Sequence, residues 1–164
     1  MKIINKYKYS VFSGSNYLVE LALILKYFFN FIFFKQNYIL KFEKKASKLY
    51  FKKFAYSFGS GRMALYAGLK ALNIKEDDEI IIAPYTCVVV INAILYNKAI
   101  PVFSDINLDD FNINLDKAIE KITNKTKAIY IQHTFGNYLN YDKIIKTCKE
   151  KNIFIIEDSA HYFP

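Results

Sequence analysis

The stretch IFIIEDSAH, residues 153–161, decides how this chain is read, because a continuous run of β-branched and aromatic residues breaks off in two carboxylates, Glu157 and Asp158. An apolar run of this length without polar alternation describes a strand buried on both faces of a parallel sheet. Ligands of open parallel sheets gather beyond the carboxyl ends of the strands, so Asp158 marks a candidate site. One chemistry that needs an ionised aspartate there is the holding of a protonated pyridine nitrogen, which turns the ring into an electron sink. Pyridoxal phosphate is such a ring.

Outward from this strand the pattern alternates. Residues 54–58 read as a short strand, 61–72 as a helix with Leu65, Leu69 and Leu72 on one face, and 79–83 as a strand. A helix over 87–96, a strand over 100–104, a helix over 115–122, a strand over 128–132 and a helix over 141–151 complete the series. Strand and helix in alternation imply right-handed crossovers and a mainly parallel sheet with helices on both faces, the α/β class. Asn114 and Asn140 stand where helix N-caps belong, Pro84 and Pro101 punctuate strand ends, and Asp105 reads as a turn residue.

Gly59-Ser60-Gly61, between a predicted strand and a predicted helix, is the second chemical feature, since glycines there let backbone amides approach an anion at a helix N-terminus. Gly59, Gly61 and Ala64 also satisfy the G-x-G-x-x-A pattern of a dinucleotide site, the mark of an NAD(P)-binding Rossmann-type oxidoreductase. That reading wants an acidic residue at the end of the next strand to bind a ribose, whereas EIIIAPYT carries its acid at the start. A turn needed only for tight strand-to-helix packing is the plainest alternative.

Several separated segments taken together resemble the DegT-type (DegT/DnrJ/StrS) family of pyridoxal phosphate-dependent nucleotide-sugar aminotransferases, from about residue 42 to 164. GSGRMALYAGLKALNIKEDDEIIIAPYTCVVVINAILYNKAIPVFSDIN is similar to that family's phosphate turn, first helix, sheet strand and cofactor-flanking helix, and DFNINLDKAIEKITNKTKAIYIQHTFGNYLNYDKIIKTCKEKNIFIIEDSAH continues in the same order. The resemblance implies the large domain of the aspartate aminotransferase type, in its N-terminal part only, and transfer of an amino group from an amino acid such as glutamate to a nucleotide-linked keto-sugar. That activity serves surface glycan biosynthesis, in a homodimer when complete.

Carried over residue by residue, the resemblance places Asp158 against the pyridine nitrogen and His161 near the cofactor's phenolic oxygen. Ser60, Gly61, Arg62 and Met63 fall where amides and a hydroxyl hold the phosphate; the arginine departs from the common threonine, which leaves the amides as the main phosphate contact. Cys87 falls where relatives stack an aromatic ring on the cofactor, so stacking is lost or comes from Tyr85 or another side chain. His133 and Phe135 match a segment lining the active-site rim. From the residues alone, Asp158 reads equally as a strand-end cap, the histidines as packed side chains, and Cys87 as a small buried apolar group.

Composition sets the remaining bounds. With 164 residues, 53% hydrophobic and 18% aromatic, the chain can bury a real core. The net charge of +8 is uneven: residues 1–53 hold eleven lysines against Glu20 and Glu43, while the remainder is close to neutral. Arg62 is the only arginine, which argues against nucleic acid as a partner. Cys87 and Cys148 form no disulfide or metal pattern, as expected of a cytoplasmic protein. The layout thus reads as a basic, aromatic helical segment over residues 1–41 and a truncated cofactor-binding large domain over 42–164, with the small C-terminal domain absent.

Residues 17–34, YLVELALILKYFFNFIFF, are mostly apolar but carry Glu20, Lys26 and Asn30, and a lysine near mid-bilayer costs about 2.5 to 3.5 kcal/mol. A helix packed on its own domain or on a partner subunit is therefore favoured over membrane contact, and a noncatalytic membrane-associated or interaction module stays as the alternative function. In the family the Schiff-base lysine lies well downstream of the strand-end aspartate, and no lysine of this sequence matches that position. With the sheet incomplete, an exposed edge and poor solubility are expected. The purified chain, given pyridoxal phosphate, is expected to transaminate no faster than background; a rate above background contradicts that expectation.

Overall fold

In the computed structural model of the chain, which describes residues 18–34 and 37–162, two compact units divide at residues 57 and 58. The first contains α1 (Leu18–Phe34) and α2 (Tyr38–Leu49). Asn37 caps α2 by accepting the Leu40 amide at 3.1 Å, and Tyr27 meets Tyr38 edge to face at 5.3 Å. Residue 17, where the expected apolar segment begins, lies outside the described residues. Among the described residues no helix is long and apolar enough to cross a membrane.

The second unit carries the site. Its elements are α3 (Gly61–Ala71), β1 (Glu79–Ile82), α4 (Val88–Tyr96), β2 (Ile100–Phe103), α5 (Leu115–Glu120), β3 (Thr126–Gln132), α6 (Asp142–Glu150) and β4 (Phe154–Asp158). The four strands form one parallel sheet in the order β2-β1-β3-β4. Helix and strand boundaries fall within about two residues of the expected ones, the usual scatter at element ends.

Side-chain alternation along the strands sorts the core into two layers. Ile80, Ile82, Ala128, Tyr130 and Ile156 face α3 and α4, where Leu69, Val90 and Ile94 meet them. Ile81, Ala83, Ile129, Ile131 and Ile155 face the other way, onto Ala118 of α5 and Ile144 and Cys148 of α6. Helices thus cover both faces, as the alternation of the sequence requires. Asn114 caps α5 by accepting the Lys117 amide at 3.0 Å; Asn140 accepts the Asp142 amide at 2.9 Å, one position ahead of the helix cap.

Two expectations are corrected. Residues 54–58 form no strand, and the Ser57 amide and hydroxyl instead bind Glu43, which holds that carboxyl below its ordinary pKa. β4 is not buried on both faces. Among the described residues it pairs only with β3, and Phe154 is 40% exposed, whereas Ile80, Ile81 and Ile82 of β1 are fully buried between two neighbours. Its inner edge is protected by the ladder to β3, and Ile155 and Ile156 are each half-buried, on opposite faces of the sheet. Ile129, fully buried on β3, carries more of the stability: Ile129→Ala is expected to cost about 2 to 5 kcal/mol in urea unfolding, and a loss below about 1 kcal/mol would contradict this placement.

Candidate functional site

Strand order fixes where a ligand can enter. From β1 the chain crosses through α4 to β2 on one side, and from β3 it crosses through α6 to β4 on the other, while β1 and β3 are neighbours. Connections that leave two adjacent strands in opposite directions open a crevice at their carboxyl ends, the topological switch point where open α/β sheets bind ligands. Here that crevice lies between the loop of residues 83–87 and the loop of residues 133–141. Thr86 bridges it by donating to Gln132 at 2.7 Å, and Tyr85 and Phe135 face each other across it with ring centroids 6.0 Å apart.

Asp158 stands one strand over, in register with Gln132. Two positions past Ile156, its side chain is on the α3–α4 face of the sheet. One carboxylate oxygen accepts the Ala160 amide at 2.8 Å and the other accepts the phenol of Tyr130. Burial, then the charge of Asp158 and the hydrogen bond to it, hold that phenol above its ordinary pKa, so it stays a donor. Cys87, at the start of α4, is the exposed N-cap residue and makes no side-chain cap bond.

Ser60, Gly61, Arg62 and Met63 form the first turn of α3, a helix that leads through residues 72–78 into the amino end of β1 and therefore directs its N-terminus toward the carboxyl ends of the strands. First-turn amides lack intrahelical acceptors. Ser60 Oγ takes that of Met63 at 3.3 Å, which leaves those of Gly61 and Arg62 for an anion. A Cβ added at Gly59 or Gly61 would meet no atom within 4 Å, so the backbone there is open to approach. An anion-holding turn and an anchored carboxylate, both turned toward the carboxyl ends of the strands, suit a ligand carrying a phosphate at one end and a cationic ring nitrogen at the other.

His161 and Phe135 lie parallel, with centroids 6.0 Å apart and planes 3° apart, and His161 Nδ1 accepts the Phe135 amide at 3.3 Å. Phe111, which the sequence reading passed over, joins Tyr85 at 5.7 Å and Phe135 at 6.4 Å. Phe111 and Phe135 both adopt left-handed backbone, φ 59° and 53°, a conformation unfavourable for bulky residues and concentrated at functional sites. Asn112 holds the two loops together: fully buried, it accepts the Thr134 amide at 2.8 Å and donates to the Asn137 carbonyl at 3.0 Å. Gly136, at φ 86°, has no room for a side chain without strain, since a Cβ would meet the His161 carbonyl at 3.2 Å.

His133, expected on the rim, is fully buried instead. Its Nδ1 accepts the Leu139 amide at 3.2 Å, so the ring proton is on Nε2 and is shared with Glu157 at 2.8 Å. With both nitrogens engaged, the ring braces the loop from within. The structure therefore brings Asp158 and Tyr130 together at one place and Tyr85, Phe111, Phe135 and His161 at another. Phe111 and Asn112 could have been found in the sequence only as an aromatic and an amide in FNIN after an Asp-rich turn, a weak signal. Among the described residues no cluster of metal-binding side chains occurs.

Comparison with known proteins places this fold with the large domain of aminotransferases. The DegT/DnrJ/EryC1/StrS aminotransferase family model matches residues 29–164. GDP-perosamine synthase of Escherichia coli O157:H7 is 38% identical over 129 residues, which cover 79% of this chain and 35% of that protein. Among solved structures, the aminotransferase from Psychrobacter cryohalolentis superposes with a TM-score of 0.85 at 28% identity, over 92% of this chain and 38% of its own. NtdA of Bacillus subtilis, solved with bound cofactor PMP, gives 0.85 at 28% identity over 90% of this chain and 35% of its own. The chain belongs to the DegT/DnrJ/EryC1/StrS aminotransferase family and spans about a third of the length of the curated relatives it matches.

Behind the site, Tyr141 donates to Glu157 at 2.9 Å, and burial followed by this bond pushes its phenol up to about 12. A phenol whose folded pKa exceeds the ordinary value near 10 stabilises the fold below about pH 10, and that contribution is lost between about 10 and 12. In urea unfolding across this window the decline of stability should be shallower in Tyr141→Phe than in the parent chain. Equal slopes would contradict the bond to Glu157.

Proposed function

We propose that this chain forms the cofactor-binding part of the large domain of a pyridoxal phosphate-dependent aminotransferase acting on a nucleotide-linked keto-sugar, with an amino acid such as glutamate as amino donor, in surface glycan biosynthesis. The observation that carries the reading is Asp158: a carboxylate anchored by a backbone amide and a phenol at a strand tip, beside a topological switch point, in a chain of this family. When bound, pyridoxal phosphate supplies the electron sink that stabilises negative charge on the carbon next to the transferred nitrogen.

The residues of this chain would bind and orient it. Asp158 holds the protonated ring nitrogen. The Gly61 and Arg62 amides and the Ser60 hydroxyl hold the phosphate at the positive end of α3, with the Arg62 guanidinium adding charge. Cys87 and Met63 border the ring and the phosphate, and His161 faces the phenolic oxygen. Tyr85, Phe111 and Phe135 form the wall that excludes water and meets the sugar substrate, while His133 keeps the loop beneath them in place. Residues 42–164 bear the site in this reading, the basic segment 1–41 precedes it, and the complete enzyme is a cytoplasmic homodimer.

Titration of the purified chain with pyridoxal phosphate, followed by absorbance, is expected to saturate and to weaken by about tenfold or more in Asp158→Asn, the size of a lost charge-assisted hydrogen bond. NADH fluorescence should stay unchanged. Equal binding by the parent chain and Asp158→Asn, or saturable NADH binding instead, would contradict the proposal.

A further inference from the structure

Tyr130 is a polar residue inside an otherwise apolar layer, packed with Leu69, Ile80, Ile82, Val90 and Ile94 and only 5% exposed. A buried phenol needs a partner, and the one present is the Asp158 carboxylate on the neighbouring strand. The pairing follows from the parallel register of β3 and β4, which sets Tyr130 beside Ile156 and Gln132 beside Asp158, so the long phenol reaches diagonally to the strand tip. The Ala160 amide takes the other oxygen at 2.8 Å.

An ionised carboxylate has about four acceptor positions, and these two bonds use one on each oxygen. Both come from the protein, one from the sheet and one from the turn after β4. They fix the plane of the carboxylate and leave its other lone pairs for a ligand. Resting on the cofactor reading above, we infer that Tyr130 is a positioning residue: with the Ala160 amide it clamps Asp158 so that the free face of the carboxylate meets a cationic nitrogen heterocycle, the pyridinium ring of the cofactor. Because its phenol is kept protonated by burial and by the adjacent charge, Tyr130 acts as a fixed donor and takes no part in proton transfer. Its contribution is to ring-nitrogen recognition, not to the phosphate end of the site.

The test uses the chain as it is, with pyridoxamine 5′-phosphate as the probe of the whole site and inorganic phosphate as the probe of the α3 turn alone. In Tyr130→Phe the dissociation constant for pyridoxamine 5′-phosphate is expected to rise about fivefold to tenfold, the worth of one hydrogen bond to a charged group, with phosphate binding unchanged. The carboxyl carbon-13 resonance of Asp158, assigned by its loss in Asp158→Asn, is expected to move in Tyr130→Phe without any cofactor present. Replacing Tyr130 by 3-fluorotyrosine, a more acidic donor of nearly the same shape, should move it in the opposite sense and serves if Tyr130→Phe folds poorly.

If Tyr130→Phe binds the probe as the parent does and the resonance stays put, the clamp is wrong, while a weakened Asp158→Asn would leave the cofactor reading standing. If Tyr130 matters only for packing, both probes weaken together and the resonance does not respond, which also overturns the inference. Indifference of pyridoxamine 5′-phosphate binding to Asp158→Asn would overturn the cofactor reading, and the positioning role with it.

Discussion

Parallel pairing of β1 with β3 sets the position of the other strands and of the loops at their ends. Every other strand is placed relative to that central pair, and the carboxyl ends of all four strands align because each pairing is parallel. From the centre the chain leaves in opposite directions, so a crevice opens there without any side chain having to create it. What the sequence adds is chemistry at the rim: a carboxylate at the tip of β4, free amides at the start of α3, and aromatic rings on the two loops that flank the crevice.

Much of this layout is legible in the amino-acid sequence, and for physical reasons. The isoleucine-rich runs EIII and FIIED, separated by segments with helical spacing, specify strands and crossover helices, and Asn114 specifies a helix start through its own hydrogen bond. What misleads is context. The same apolar run that reads as a fully buried strand belongs to β4, which has a neighbour on one side only, because a strand's composition reports its covered face and its ladder but not its position in the sheet. Residues 54–58 carry strand-like composition, yet hydrogen bonding to Glu43 takes the Ser57 amide that a ladder would need.

The site divides in the same way. Asp158 and the Gly59-Ser60-Gly61 turn stand out in the sequence because a carboxylate closing an apolar run and glycines opening a helix each have a direct physical reading. His133 and Tyr130 do not declare their roles, because those roles arise from partners distant in sequence: Glu157 for the histidine and Asp158 for the tyrosine. Phe111 and Phe135 meet only because Asn112 joins two loops more than twenty positions apart. Such pairings are properties of the folded chain and leave almost no local trace.

In the proposed function, the start of α3 and the tip of β4 hold opposite ends of one small molecule. The most direct measurement is a backbone amide NMR titration with pyridoxamine 5′-phosphate. Resonances of Gly61 and Arg62 and those of Asp158 to Ala160 are predicted to shift together, along one binding curve. Shifts confined to only one of these two places, or two curves with different midpoints, would contradict the claim.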